Sequence, residues 1–457
     1  MAASQTRTGH VAIVGGGFAG TLLAINLLRH DGPRATLIER RASQVARGVA
    51  YGTAHAEHLL NVRAGNMSAM PDDPGHFVRW LEARGLGDRT SFVPRRVYGT
   101  YLGDLLEEAC AAHGERLRLI EGEAVALDRE GAGEGWRLAL ADGGAIAADT
   151  IVLAIGNLPP HTPAGLDPDT MPPGSYIADP WAGDVAAGLG PDDTVVLVGS
   201  GLTAIDVALT LDAAGFAGRM HAISRRGLAP RRHEDVPAAP GLREKPAGTL
   251  SALVAHVRAR ADAIGWRGAV DELRPVTQMM WGGADAVTRA RFLRHLRPFW
   301  DVHRHRLAPK VADRIDALVA SGRLSFAAGK LVGTNGEGPV HLAWRPRGGE
   351  AIVTTTATRI VNCTGPQGDL MRSPELLLRH LLAQGTIRPD ALRIGLDVDP
   401  QSRVVGADGT PDDSLHAIGP MTRGDLWEVV AVPDIRQQNW TLARRLSNAQ
   451  WVAGEGL

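Results

Sequence analysis

The sequence predicts an α/β chain of two Rossmann-like three-layer domains, the second carrying a helical insert, and three observations support that prediction. A strand, a glycine turn and a helix follow one another over residues 10–28, and the same succession returns at 194–211. Strand-like runs ending in Gly or Asn turns at 149–157 and 357–366 extend the alternation of strands and helices that marks parallel sheets with crossover connections. Between 241 and 319 apolar positions recur at three and four residues, the helical period, over a stretch too long for a loop. The Pro-, Asp- and Gly-rich segment 158–173 reads as a connection. One domain is therefore discontinuous: residues 1–165 form its first part, 166–360 form the second domain with the insert, and 361–457 return to the first.

Composition narrows the function. The 457 residues are 44% apolar and 22% charged, with a formal net charge of −1, which gives no general attraction to nucleic acid or to an anionic membrane. Two cysteines, Cys110 and Cys363, exclude a disulfide scaffold, a four-cysteine zinc site and an iron–sulfur cluster. No His/carboxylate metal spacing appears, so no metal is expected. No run of eighteen apolar residues requires a bilayer, and the apolar run 11–28 is interrupted by glycines and lacks a cleavage site. A cytoplasmic enzyme acting on a small molecule is the expectation.

In the first motif, an apolar strand from His10 leads into Gly15-Gly16-Gly17-Phe18-Ala19-Gly20 and a helix follows at once. Gly15 permits the tight turn, Gly17 lets a pyrophosphate approach the backbone, and Gly20 allows close helix–strand packing. Amides at the helix start face the phosphate charge. The next strand ends in Glu39, nineteen residues beyond Gly20, followed by Arg40. A carboxylate there accepts hydrogen bonds from both hydroxyls of an adenosine ribose and repels a 2′-phosphate, so FAD or NAD is expected at this site.

The second motif, Gly199-Ser200-Gly201-Leu202-Thr203-Ala204, has alanine in place of the third glycine. Its second strand ends in Ser224-Arg225-Arg226, and a hydroxyl with two guanidinium groups suits a 2′-phosphate. NADPH is therefore expected here and FAD at the first site, a pairing that allows hydride to pass from nicotinamide to flavin. A disulfide-reductase role would need a redox cysteine pair, and Cys110 and Cys363 are isolated.

Further segments are distinctive: Gly48-Val-Ala-Tyr51-Gly52, His58-Leu-Leu-Asn61-Val62-Arg63-Ala64, Asn66-Met67-Ser68, Pro71-Asp72-Asp73-Pro74, His76-Phe77-Val-Arg-Trp80, Val93-Pro94-Arg95-Arg96, Phe299-Trp300-Asp301-Val-His303-Arg304 and Asn362-Cys363-Thr364-Gly365-Pro366. Through them nearly the whole chain resembles a bacterial family of FAD-NAD(P)-binding proteins. These are flavoproteins with two dinucleotide-binding domains, similar to flavin-dependent monooxygenases, and some hydroxylate small heteroaromatic compounds such as urate. Residues 47–64 are expected to pass beneath the flavin, with Asn61 and Arg63 offering hydrogen bonds to ring or ribityl atoms. The turn Ala154-Ile155-Gly156-Asn157 resembles one that closes the domain in flavin monooxygenases, although Ile155 replaces a threonine. By the same resemblance Asp425 is assigned to the ribityl chain, and the amides of Val432 and Asp434, at a helix start, to flavin O2. Trp181 stands where a monooxygenase fingerprint would fall and is a candidate flavin shield.

For substrate, residues 291–307 are the most unusual run. Pro298 favours a helix break at Arg297; if the helical phase carries through, His303 shares an apolar stripe with Trp300 while Arg297 and Arg304 line its edge, a setting for a flat anionic ring. The resulting expectation is NADPH-dependent flavin monooxygenation of a small polar, urate-like molecule, with dioxygen adding at flavin C4a. The alternatives are amine N-hydroxylation, a reductase passing electrons to another acceptor, and a redox-sensing flavoprotein without turnover.

Overall fold

The computed structural model describes residues 9–447 apart from 54, 132–134, 235–239 and 337. The chain divides into two compact units, one of residues 9–53, 62–158 and 368–447, the other of 55–61 and 159–367.

Among the described residues, the first unit is built on a six-stranded sheet in the order Arg403–Val405, Pro411–Ala417, Thr150–Leu153, His10–Val14, Arg34–Glu39 and Leu117–Glu121. All neighbours are parallel except the edge pair Arg403–Val405 with Pro411–Ala417. The central strands are continuous apolar runs because both faces are covered. On one side lie the helices Phe18–Arg29, Arg95–His113 and Val432–Leu446, the first buried from Phe18 to Leu28. On the other, Ala12, Val14, Ile38, Ile151 and Leu153, at alternate positions, pack against Leu127, Trp136, Leu138 and Ile146. Those residues belong to an antiparallel meander of Ala124–Glu130, Gly135–Leu140 and Ala145–Ala148. Helices, parallel sheet and meander are the three layers.

In the second unit seven strands run in the order Val353–Ala357, Val340–Pro346, Leu324–Asn335, Arg219–Ser224, Thr194–Val198, Arg359–Asn362 and Tyr176–Ile177. Leu324–Asn335 begins parallel to Arg219–Ser224 and, from Gly329 on, pairs antiparallel with Val340–Pro346. The helices Leu202–Ala213 and Pro309–Ala320 cover one face, while Val340, Leu342 and Trp344 cover the other. Arg359–Asn362 lies between Thr194–Val198 and Tyr176–Ile177, so a boundary drawn at 360 cuts a strand that the fold keeps whole in the second unit.

The insert is helical: Leu250–Asp271, Thr277–Gly282, Ala286–His295 and Arg297–Arg304 precede the crossover helix Pro309–Ala320. Thr249 and Asp285 cap two of them, accepting from the amides of Ala252 and Thr288. The first bends at Gly265, whose φ of 76° and ψ of 153° are not helical. Pro298 sits in the first turn of the short helix, so the apolar stripe does not run through; Val302 is the residue that helix buries. No helix among the described residues is long and apolar enough to cross a membrane.

Candidate functional site

The first glycine turn follows its strand under tight steric constraint. Gly15 has φ +107°, its amide donates to Ile38 O at 2.8 Å, and a β-carbon on it would lie 2.4 Å from Ala154 O. A β-carbon on Gly20 would lie 1.9 Å from Gly15 O, so only glycine lets the helix sit this close to the turn. Gly17 caps the helix with no side-chain hydrogen bond, leaving the first-turn amides of Phe18 and its neighbours without a side-chain acceptor. Glu39 stands over the turn: its carboxylate accepts from the amides of Gly16 at 2.8 Å and Arg41 at 3.2 Å, which fixes it at the strand tip. Thr21 Oγ1 donates to Gly16 O at 2.8 Å, and Ala46, at φ 63°, brings its amide to the same carbonyl. The segment after Glu39 thereby folds back onto the turn, where a β-carbon on Gly17 would touch Gly48. Ala19 of the turn faces Gly419, φ +81°, on which a β-carbon would lie 3.2 Å from that of Ala19.

The other residues expected at FAD lie as follows. Arg40 is engaged in an exposed ion pair with Glu375 at 3.2 Å. Asn61 belongs to the second unit, where its carbonyl accepts from His233 Nε2 at 3.0 Å. The chain around it is held there by His58, 2% exposed, whose Nε2 lies 3.0 Å from Thr210 Oγ1 and 3.1 Å from Asp206 O. Arg63 donates to Thr90 O at 2.9 Å and stacks on Phe92. Gly156 has φ +70° with open space around it, so conformation and not crowding requires the glycine. Asp425 accepts from the Val398 amide at 3.2 Å. Asp434 lies in the first turn of Val432–Leu446, and its amide turns back to Ala431 O at 3.1 Å. Trp181 is exposed and meets the edge of His58.

Sequence reasoning missed the polar network beside this helix. Gly419 N–H donates to Gln438 Oε1 at 2.8 Å, while Gln438 Nε2 reaches Ser402 Oγ and Thr422 Oγ1, each at 3.2 Å. Nearby, buried Asp390 accepts from the amides of Leu392, Ile394 and Gly395. Burial raises its pKa despite those bonds. Gly419-Pro420 was the available signal; its partners lie too far along the chain to be read from it.

The second turn repeats the first. Gly199 has φ +123°, donates to Ile223 O at 2.8 Å, and would place a β-carbon 2.3 Å from Cys363 O. Gly201 caps the helix from Leu202 without a side-chain bond, and Thr203 lies half-buried in the first turn. Ala204 is 1% exposed, so here the third position accommodates a methyl. Ser200 Oγ lies 2.6 Å from Leu228 O and 2.7 Å from Ser224 Oγ. A carbonyl only accepts, so Ser200 donates to Leu228 and Ser224 donates to Ser200. Ser224 also accepts from the Gly227 amide at 2.9 Å and so braces the turn. Arg225 is exposed at the strand tip; Arg226 stacks over Phe299 at 4.9 Å and donates to His295 O at 3.3 Å. Burial pushes the Cys363 thiol up, which makes it unreactive.

Of the residues expected at substrate, His303 lines a cleft of about 690 Å³ in this unit, together with Gly227, Leu228, Arg231, Trp266 and Arg267. Arg297, Trp300 and Arg304 are not among the described residues lining it. Arg297 instead pairs with Asp301 at 3.3 Å. His303 meets the edge of Trp266, from the insert's first helix, at 4.8 Å between ring centres. Burial first, then the nearby Arg231, Arg306 and Arg267, hold His303 below the usual histidine range against the opposing bond to Phe299 O.

Residues 12–158 match the model of a family described as FAD-NAD(P)-binding. No curated protein matches the sequence. Among solved structures the chain is similar to an ornithine N-hydroxylase of Kutzneria sp. 744, solved with reduced FAD, NADP+ and L-ornithine, at 18% identity and TM-score 0.66 over 96% of this chain and 99% of that one. An ornithine hydroxylase of Pseudomonas aeruginosa in its reduced form gives 16% and 0.66 over 96% and 99%. An L-lysine 6-monooxygenase of Pseudomonas syringae gives 15% and 0.65 over 97% and 100%. Identities this low establish the fold. Residues 12–158 therefore carry the FAD-NAD(P)-binding family match, and the chain as a whole has the two-domain Rossmann-like fold of these flavin monooxygenases.

Proposed function

We propose that this chain is an NADPH-dependent FAD monooxygenase acting on a small polar substrate. The observation behind this reading is the repeated turn: Gly15 against Ala154 O and Gly199 against Cys363 O are the same backbone device, ending in Glu39 in one unit and in Ser224-Arg225 in the other. In this reading the Gly15–Gly20 turn and the amides of the following helix hold the FAD pyrophosphate, and Glu39 holds the adenosine ribose. The Gly199–Ala204 turn holds the NADPH pyrophosphate, and exposed Arg225 pairs with the 2′-phosphate. Arg226 and Ser224 position the turn. FAD, when bound, supplies hydride acceptance and dioxygen activation; the chain supplies orientation and a water-poor surrounding.

Of the two substrate classes left open by the sequence, the similar structures favour amine N-hydroxylation over a urate-like ring, since the three described above are named for ornithine or lysine. The test is NADPH oxidation by the FAD-loaded chain with ornithine, lysine, diamines and urate, scored for hydroxylated product and for peroxide. One amine giving hydroxylamine in step with NADPH supports the reading. Oxygen-independent reduction of other acceptors, with no hydroxylated product from any compound, refutes it.

A further inference from the structure

Beyond the glycine turn, the second unit holds a cleft with no role in the reading so far. Its floor is the chain that continues from the strand tip, Gly227 to Arg232, and its wall is supplied by the insert through Trp266, Arg267 and His303. Three features give it a chemistry. The wall is aromatic and cationic: the Arg267 guanidinium lies 4.2 Å over the Trp266 ring, held in place by an ion pair to Glu234, and the Arg306 guanidinium lies 5.1 Å over the same ring. A stacked guanidinium presents its outer plane to an aromatic ligand. The wall also carries an acceptor. His303 Nδ1 lies 2.7 Å from Phe299 O, which can only accept, so Nδ1 bears the proton and the neutral ring leaves Nε2 as a lone pair. Lastly, Arg231 is an exposed cation on the lining.

The cleft is also continuous with the turn. Ser200, the middle residue of Gly199-Ser200-Gly201, donates to the carbonyl of Leu228 at 2.6 Å, and Leu228 is itself part of the lining. The parallel bridge Arg232 to Leu307 ties the same floor to the chain two residues before the crossover helix. About 690 Å³ is ample for a nucleoside.

We infer that the helical insert supplies the adenine subsite of the dinucleotide held by the second turn. The base lies on the Trp266–Arg267 wall with its amino group toward His303 Nε2, and Arg231 joins Arg225 around the 2′-phosphate. This rests on the NADPH reading of that turn. It gives the insert a role in nucleotide selection that the βαβ motif alone does not supply.

Calorimetric titration of the FAD-loaded full chain with 2′,5′-ADP and with 5′-ADP tests it. Trp266→Leu is expected to weaken both nucleotides about tenfold, the size of one lost stacking contact. Arg231→Ala, at an exposed position, is expected to weaken 2′,5′-ADP more than 5′-ADP, and Arg225→Ala likewise. Should Trp266→Leu melt far below the parent, Trp266→Phe takes its place, and near-parental binding of both nucleotides is then expected because a flat support remains. Parental affinity in Trp266→Leu and Arg231→Ala alongside a loss in Arg225→Ala overturns the subsite and leaves the NADPH reading standing. A parent chain that binds neither nucleotide overturns both.

Discussion

Gly20→Ala tests whether the first turn is built around a contact that leaves no room for a side chain. A methyl there would lie 1.9 Å from Gly15 O and 3.1 Å from its carbonyl carbon, and both obstacles are backbone. Ordinary contact begins near 3.4 Å, so the helix start and the turn must separate by about 1.5 Å. Overpacking of this kind costs about 1–3 kcal/mol even where the backbone can move. The displaced atoms are those that carry the phosphate-facing amides, and each charge-assisted hydrogen bond lost costs about 1.5–3 kcal/mol. Losing one of them lowers FAD affinity by on the order of tenfold to a hundredfold. The assay is the flavin-to-protein absorbance ratio after purification, followed by FAD titration of the stripped chain. Ala204→Gly is the matched control. Its methyl is already accommodated at 1% exposure, so the change should cost about 1 kcal/mol of helix stability and leave FAD binding unaltered. Gly20→Ala protein that purifies with full flavin and parental affinity would refute the packing argument and the assignment of this turn.

Two further perturbations follow from the same geometry. Glu39→Arg replaces the carboxylate that accepts from Gly16 with a like charge facing the turn amides, and the protein is expected to purify largely free of FAD; full yellow colour would show the first site misassigned. His416, 2% exposed on Pro411–Ala417, is pushed down to about 4 chiefly by burial. The unfolded chain therefore binds the extra proton below about 6.5 and the folded chain only near 4, so stability falls as pH drops through that window, by up to about 1.4 kcal/mol per pH unit. His416→Leu should flatten the decline of melting temperature between pH 6.5 and 4.5, and an unchanged slope would assign the decline to other groups.

The parts of the fold legible in the sequence are those whose physical requirement is local. Gly15 and Gly199 need φ above zero one residue after a buried strand, and both chain identity and spacing record that need. The break before Pro298 was readable for the same reason, because a proline's missing donor acts on its own turn. The meander from Ala124 to Ala148 was not. Its strands are short and half-exposed, and the partners that bury Trp136 and Leu138 come from the parallel sheet and from residues beyond 370. The domain boundary expected at 360 falls inside the strand Arg359–Asn362. The strand's position beside Thr194–Val198 is set by pairing, which no window of sequence contains.

The site divides along the same line. A motif records what its own backbone must avoid, so Glu39 stands at the turn where the spacing put it. It does not record which distant group claims a neighbour. Ser224 and Arg226 flank Arg225 in the sequence as equals, yet Ser224 is committed to Ser200 and Gly227, and Arg226 to Phe299 and His295 O. Only Arg225 is left exposed at that strand tip. His303 likewise has Trp266 as its partner, a residue from a helix that bends at Gly265, whose φ of 76° the apolar periodicity around it passes over. Specificity at the second turn is therefore expected to follow the insert as much as the turn, since the insert decides which guanidinium remains to meet a phosphate.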